Sequence, residues 1–231
     1  MNVINGKVYY SFWEKCWNKI RHSKLYNNSI TWTYRRKKIN NSSFSIISNN
    51  CWGGICYEYF GLQKTSPTVG CYFFSKDYIK FITNLKYYLS QELHIIPAEE
   101  SIHYDSLKRK NELTFPIGKL DDIEIVFLHY TNPEEAVQKW NRRVARINWN
   151  NLIIKYSNMN EPTEDDINTF VTSCIPNSKK LLFLNKSLDN VDLKQINGDI
   201  VFFPEFKNEE SLLDDTLYWK KYFNLFEFIN S

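Results

Sequence analysis

The sequence predicts a single α/β domain, with a mostly parallel or mixed sheet flanked by helices, behind a basic amphipathic N-terminal segment. Three observations carry this. From residue 44 onward, short apolar runs alternate with amphipathic helical stretches, as in βαβ units. The IEIVFL run at Ile123–Leu128 is nearly continuous in apolar residues, as a strand covered on both faces requires. The chain has 231 residues, 43% hydrophobic and 24% charged, which suffices for one sizeable core and is unlike a disordered chain. No apolar run reaches the length of a spanning helix, and the opening MNVINGKVYY lacks the apolar core of a secretory signal. These features predict a cytoplasmic protein and exclude collagen, mucin, disulfide-scaffold and integral membrane classes.

The first 43 residues form the basic segment, and residues 44–231 the α/β domain. Residues 1–43 hold nine Lys/Arg against one acid, Glu14, while the remainder of the chain carries a net −5. Tyr9, Phe12, Trp13, Cys16, Trp17 and Ile20 recur at helical spacing, with Glu14, Lys15, Asn18, Lys19 and Arg21 opposite. A basic face behind Trp and Phe suits the interface of an anionic membrane, and Arg35-Arg36-Lys37-Lys38 adds charge. The plain alternative is a helix packed on its own domain. No nucleic-acid motif accompanies the charge. Because the chain has 26 Asn and 22 Lys against 3 Ala, an AT-rich coding bias explains most of its Lys, and its 7 Arg are the informative cations.

Along the domain, Phe44–Ser48 reads as a strand and Gly54–Leu62 as a short helix with Gly61 near its end. Val69–Phe73 reads as the next strand. Ser75 caps a long helix with Tyr78, Ile82, Leu85 and Leu89 on one face, Pro97 follows, and residues 98–112 read as a polar loop. Leu113–Ile117 and Ile123–Leu128 flank a turn at Gly118–Asp122. Asn132-Pro133-Glu134-Glu135 is a helix start: a capping Asn, then Pro at the first position, then Glu three residues after the cap. Strands at Leu152–Tyr156, Leu181–Leu184 and Ile200–Phe203 follow, with a helix at Glu164–Ser173, and the C-terminal YWKKYFNLFEF is helical.

Five cysteines, none at CxxC spacing, point to reduced thiols rather than a disulfide framework. The four histidines form no zinc pattern, so no metal site is expected. The principal constellation is SNNCWGG, Ser48 to Gly54, between a strand and a helix. Ligands collect beyond the carboxyl ends of strands in open α/β sheets. Asn49 and Asn50 tolerate unusual backbone angles, Trp52 joins them in lining a substrate or is simply a core anchor, and the Gly53 and Gly54 amides open a helix N-terminus suited to an anion or oxyanion. That dipole favours a Cys51 thiolate. His129 ends the IEIVFLH run. If that strand lies beside the first, His129 and Cys51 share one sheet edge, with His129 as general base. The alternatives are a buried cysteine and a histidine satisfied by the helix start.

On the following helix, Val137, Trp140, Val144 and Ile147 form one stripe, and Lys139, Arg142, Arg143 and Arg146 another. Arginines grip phosphate or carboxylate bidentately; a solvated face is the plain alternative. Asp121-Asp122 with Glu124 is a weak divalent-metal pattern and equally turn chemistry. Ser66 and Thr68, in SPTVG, either line the same pocket or form a simple turn.

FSIISNNCWGG, GLQKTSPTVG, SKDYIKFITNLKYYL, FPIGKLDDIEIVFLHY and EEAVQKWNRRVARINWNNL, in that order, resemble a bacterial family of exopolysaccharide biosynthesis proteins over roughly residues 40–205. The resemblance implies a mixed α/β fold and a part in building cell-surface polysaccharide. It transfers no catalytic residues. Expected on this basis is a transferase acting on a sugar of a polysaccharide precursor, on a carbohydrate or lipid-linked substrate. Acyl transfer is preferred, with acyl-CoA as donor, Cys51 or a substrate hydroxyl attacking and His129 moving the proton. Glycosyl transfer from a nucleotide sugar is the second reading, with Arg142, Arg143 and Arg146 on the diphosphate and His129 or Asp122 as base. A non-catalytic accessory or glycan-binding protein is the third.

Overall fold

The computed structural model describes residues 2–4, 7–9, 16, 19–20, 23–184, 191–203, 215–216 and 219–231. Strands β1 (Asn2–Ile4) and β2 (Lys7–Tyr9) pair antiparallel. Most of the expected Tyr9–Ile20 helix lies outside the described residues; Tyr9 ends β2, while Cys16, Lys19 and Ile20 are helical.

The main sheet holds β3 (Ser45–Ser48), β7 (Leu152–Ser157), β8 (Ser178–Leu184) and β9 (Gly198–Phe202), all parallel and in that order. Side chains alternate between faces, and both faces are apolar. On one, Ile47, Ile154, Tyr156 and Leu182 pack against α3 (Ser75–Thr83), α4 (Leu85–Ser90), α6 (Pro133–Val144) and α7 (Glu164–Thr172). On the other, Ile46, Ile153, Leu181 and Phe183 meet α2 (Trp52–Phe60), α8 (Trp219–Tyr222) and α9 (Leu225–Asn230). The result is a three-layer sandwich, the arrangement that two apolar sheet faces demand.

A second, antiparallel sheet contains β4 (His94–Ile96), β5 (Ile117–Leu120) and β6 (Ile123–Val126). Its β5–β6 hairpin turns on Asp121, whose φ is 53°, a left-handed turn conformation that Asp adopts more readily than most residues. Of the IEIVFL run, Ile123–Val126 is a buried strand as expected, but in this sheet and not beside β3, and the strand stops before Phe127 and Leu128.

Val69–Phe73 is not a strand: Gly70 turns the chain at φ 85°, and only Tyr72 bridges, to Val126. The long helix breaks at Asn84 into α3 and α4. There the Thr83 hydroxyl donates to the Ile79 and Lys80 carbonyls, competing with the helical ladder. Ser75 is the first helical residue and not the cap. Residues 98–112 are not a loop throughout. They contain α5 (Tyr104–Lys110), opened by Asp105, closed by Lys108, Arg109 and Lys110, and ended by Asn111 at φ 58°. Only Ser106 and Leu107 of α5 are buried, too few to show a periodic stripe.

Helix α1 (Ser29–Arg36) lies on α2. Arg35 is buried between the rings of Tyr26 and Tyr59, its charge 4.4 Å and 4.2 Å from their centres, and donates to the Tyr59 and Tyr26 carbonyls. Arg36 donates to the Phe60 and Gly61 carbonyls at the α2 C-terminus, the end of a helix that favours cations.

Candidate functional site

β3 and β7 both end at one place, and two polar loops leave from it. Asn49, just past β3, extends the ladder by side chain. Its Oδ1 accepts from the Ser157 N–H at 3.0 Å and its Nδ2 donates to the Ser157 carbonyl at 2.8 Å. Asn50 is the hub of the turn. Its Oδ1 accepts from Ser48 Oγ, the Trp52 N–H and Lys155 Nζ, while its Nδ2 donates to Asp215 Oδ2 at 2.6 Å and to the Met159 sulfur.

Below the turn lies a buried ion pair. Lys155, opposite Ser48 in the β3–β7 register, points Nζ at Asp215 Oδ2, 2.5 Å away, and also bonds Ser157 Oγ. Ser157 Oγ donates to the same carboxylate oxygen at 2.5 Å. Lys155 is 0% exposed and Asp215 2%. Burial pushes the ammonium below the ordinary lysine range, and Asp215 pulls it back up. The other carboxylate oxygen, Asp215 Oδ1, and the Trp52 indole nitrogen are buried and have no hydrogen-bond partner among the described residues.

Cys51 sits half-buried at the N-cap of α2 and makes no capping hydrogen bond. Its expected activation by the helix start is outweighed. Burial, and then the Asp215 charge, raise its thiol to about 12, against a smaller lowering by Lys155, so the thiol stays protonated near neutral pH. Trp52 is 0% exposed and packs edge-on to Phe183 and Trp219. Gly53 and Gly54 let α2 approach its neighbours. A Cβ there would stand 3.1 Å from Ile46 Cγ2 and 3.1 Å from Val69 Cγ1 respectively. Ser66 and Thr68 are also buried. Their hydroxyls bond each other, and Thr68 accepts from the Ser48 N–H.

The expected adjacency of the His129 strand to β3 is overturned, because β7 fills that position and β6 belongs to the second sheet. His129 is exposed in the turn after β6, where its backbone N–H donates to the Gly70 carbonyl. Asp122 is exposed and held by Lys80 and Tyr88, and these two hydrogen bonds lower its carboxyl below the usual range. Glu124 is buried and accepts from Ser101 and the Ile102 N–H, while Asp121 accepts from Tyr87; among the described residues no three acidic, His or Cys groups are placed to hold a metal ion. The arginine stripe divides as well. Arg143 is buried, donating to the Val69 carbonyl at 2.8 Å and to the Tyr130 hydroxyl, whereas Arg142 and Arg146 are exposed.

A histidine pair that no sequence spacing announces stands at the same end of the sheet. His103 Nε2 lies 2.7 Å from Asp77 Oδ2, with side-chain exposures of 14% and 3%. The Glu124 N–H also donates to that oxygen, and the His103 ring stacks on Phe74 at 3.8 Å. The Phe73–Ser75 stretch ties this pair to the carboxyl ends of both strands. Phe73 N–H donates to the Asn49 carbonyl, Ser75 N–H to the Asn160 carbonyl, and Asn160 Nδ2 to the Phe73 carbonyl. Asn160 and Glu161, in the loop after β7, both adopt left-handed backbone at φ 58° and 64°. For Glu161 that costs about 1–2 kcal/mol. Ser106 and Arg109 hold the Glu161 carboxylate, and Lys110 the Asn160 amide. Backbone strain of this kind concentrates at functional sites.

Fold and site together define a three-layer α/β protein with a polar, charge-bearing centre at the carboxyl ends of adjacent parallel strands. The chain matches the family described as Domain of unknown function (DUF1919) over residues 21–230, and it belongs to that family. It is also 31% identical over 151 residues to an uncharacterized protein of Haemophilus influenzae, a match covering 65% of this chain and 66% of the relative. Among the described residues, no helix is long and apolar enough to cross a membrane.

Proposed function

We propose that the protein is a transferase of bacterial surface-polysaccharide assembly, moving an acyl group onto a sugar hydroxyl of the polysaccharide precursor at the inner face of the membrane. The motif strings that resemble exopolysaccharide biosynthesis proteins motivate the pathway. The Asp77–His103 pair carries the chemistry. A carboxylate oxygen only accepts, so Asp77 fixes the proton on Nε2 and leaves Nδ1 with the lone pair of a general base. In the proposed step Nδ1 takes the proton of the sugar hydroxyl as its oxygen bonds the carbonyl carbon of an acyl-CoA thioester. The C–S bond breaks, and the departing thiolate receives that proton from the imidazole. Transfer is direct: with its thiol held protonated, Cys51 is not the nucleophile, and the base is His103 rather than His129.

Glycosyl transfer is the second reading. Arg142 and Arg146 remain exposed one helical turn apart on and just beyond α6, placed to grip a nucleotide diphosphate.

The test is a thermal-shift screen with acyl-CoA donors and nucleotide sugars, followed by mass-spectrometric assay of product. A ligand that binds only the folded form raises its melting temperature. Stabilisation by an acyl-CoA, with turnover lost by at least about 100-fold in His103→Gln, supports the proposal. Full turnover in His103→Gln removes its base. Stabilisation by nucleotide sugars alone favours glycosyl transfer, and no response to either donor class favours the accessory role.

A further inference from the structure

Helix α1 has two unlike sides. The inner side is committed to the domain: Arg35 is buried, Arg36 caps α2, and a Cβ on Gly61 would strike the Trp32 ring. The outer side carries large apolar groups in water. Ile30 and Tyr34, one turn apart, are 79% and 61% exposed, and Leu25 in the preceding turn is 89% exposed. Lys24, Lys37 and Lys38 are exposed around them, with Lys38 Nζ 4.4 Å from the Tyr34 ring centre. The charge on this stretch is of one sign, because no Asp or Glu occurs between Glu14 and Glu58.

Apolar side chains ringed by lysines match a surface that is hydrocarbon beneath anionic headgroups. The apolar groups enter the acyl boundary while the ammonium ends stay at the phosphates. A protein partner of ordinary composition supplies no such layered complement. We propose that the outer face of α1, with Leu25, rests on an anionic lipid bilayer. This deepens the transferase reading by bringing the site to a lipid-linked precursor, yet it is measured without turnover, so either idea can fail alone.

The experiment is co-sedimentation of the full chain with phosphatidylcholine vesicles, with and without equimolar phosphatidylglycerol, for wild type and for Leu25→Glu/Ile30→Glu/Tyr34→Glu. All three positions are exposed, so the variant is expected to fold, and circular dichroism checks that it does. Wild type should pellet with the anionic vesicles and not with the neutral ones, more weakly at high salt. The triple variant should bind at least about tenfold more weakly. No pelleting of wild type, or equal pelleting of the variant, overturns the proposal. So does a wild-type dimer that the triple substitution converts to monomer, since the face then belongs to a second copy of the chain. Lys24→Ala/Lys37→Ala/Lys38→Ala keeps the apolar groups, and undiminished binding by it also overturns the claim.

Discussion

Lys155 and Asp215 form an ion pair 2.5 Å long with neither side chain reaching solvent, and they join positions 60 residues apart. The pair ties the end of β7 to the C-terminal part of the chain, and through Asn50 to the turn after β3. Ser157 and Asn50 add bonds to the ammonium and to Asp215 Oδ2, part of the compensation a buried pair needs, while Oδ1 has no partner among the described residues.

Asp215→Ala should therefore destabilise the fold by about 3–5 kcal/mol, because it strands a buried ammonium. Lys155→Met/Asp215→Leu should recover most of that loss, since an apolar pair needs no counter-charge. Urea denaturation midpoints of the three proteins check both statements. A double variant as unstable as Asp215→Ala would show that the ions are needed as ions.

The same pair predicts a pH signature. Burial already lowers the Lys155 pKa, and Asp215 opposes that; Asp215→Asn removes the opposition. Above the folded-state pKa, the unfolded chain holds a proton that the folded chain has shed, so stability rises with pH up to the ordinary lysine range. The melting temperature of Asp215→Asn should climb toward the wild-type value as the pH rises toward the ordinary lysine range near about 10. A pH-independent gap would place the loss in packing rather than in the charge.

Cys51, with a thiol raised to about 12, should resist alkylation. Near pH 8 the thiolate, the form that reacts, is scarce. Cys174 is exposed and should label with iodoacetamide first, as peptide mapping by mass spectrometry will report. Rapid labelling of Cys51 in the folded protein would restore it as a nucleophile.

Arg143 and its neighbours should separate cleanly. Arg143→Ala leaves the buried Val69 carbonyl without its guanidinium donor and should cost about 2–3 kcal/mol. Arg142→Ala and Arg146→Ala, at exposed positions, should change stability by no more than about 0.5 kcal/mol. Thermal melts distinguish the three, and a donor-binding role for the stripe then rests on Arg142 and Arg146 alone.

Which elements form was largely written along the chain. The Asn132 cap with Pro133 behind it stands as expected, with Asn132 Oδ1 accepting from the Glu134 and Glu135 N–H groups. Most apolar runs became strands near their expected limits; Val69–Phe73 did not, and the strand expected at Leu113–Ile117 runs instead over Ile117–Leu120, into the expected turn. The SNNC turn was legible as a place of convergence because a strand leading into a glycine-rich helix start is a local pattern. The chemistry expected there was not legible, since burial and Asp215, neither visible locally, reverse the effect of the helix start on Cys51.

Local order in this protein follows from properties that travel a few residues: hydrophobic period, capping side chains and turn formers. Strand partnership and the company of each polar group are long-range, because they depend on which apolar faces find one another. The IEIV of IEIVFLH forms a strand as its pattern predicts, yet packing put it in the antiparallel sheet rather than beside β3. Lys155 within LIIKYS looks like an interruption until Asp215 arrives, and His103 looks incidental until α3 presents Asp77. Desolvation and electrostatic pairing act through space rather than along the sequence, so the polar centre came into view only once the layers had closed around it.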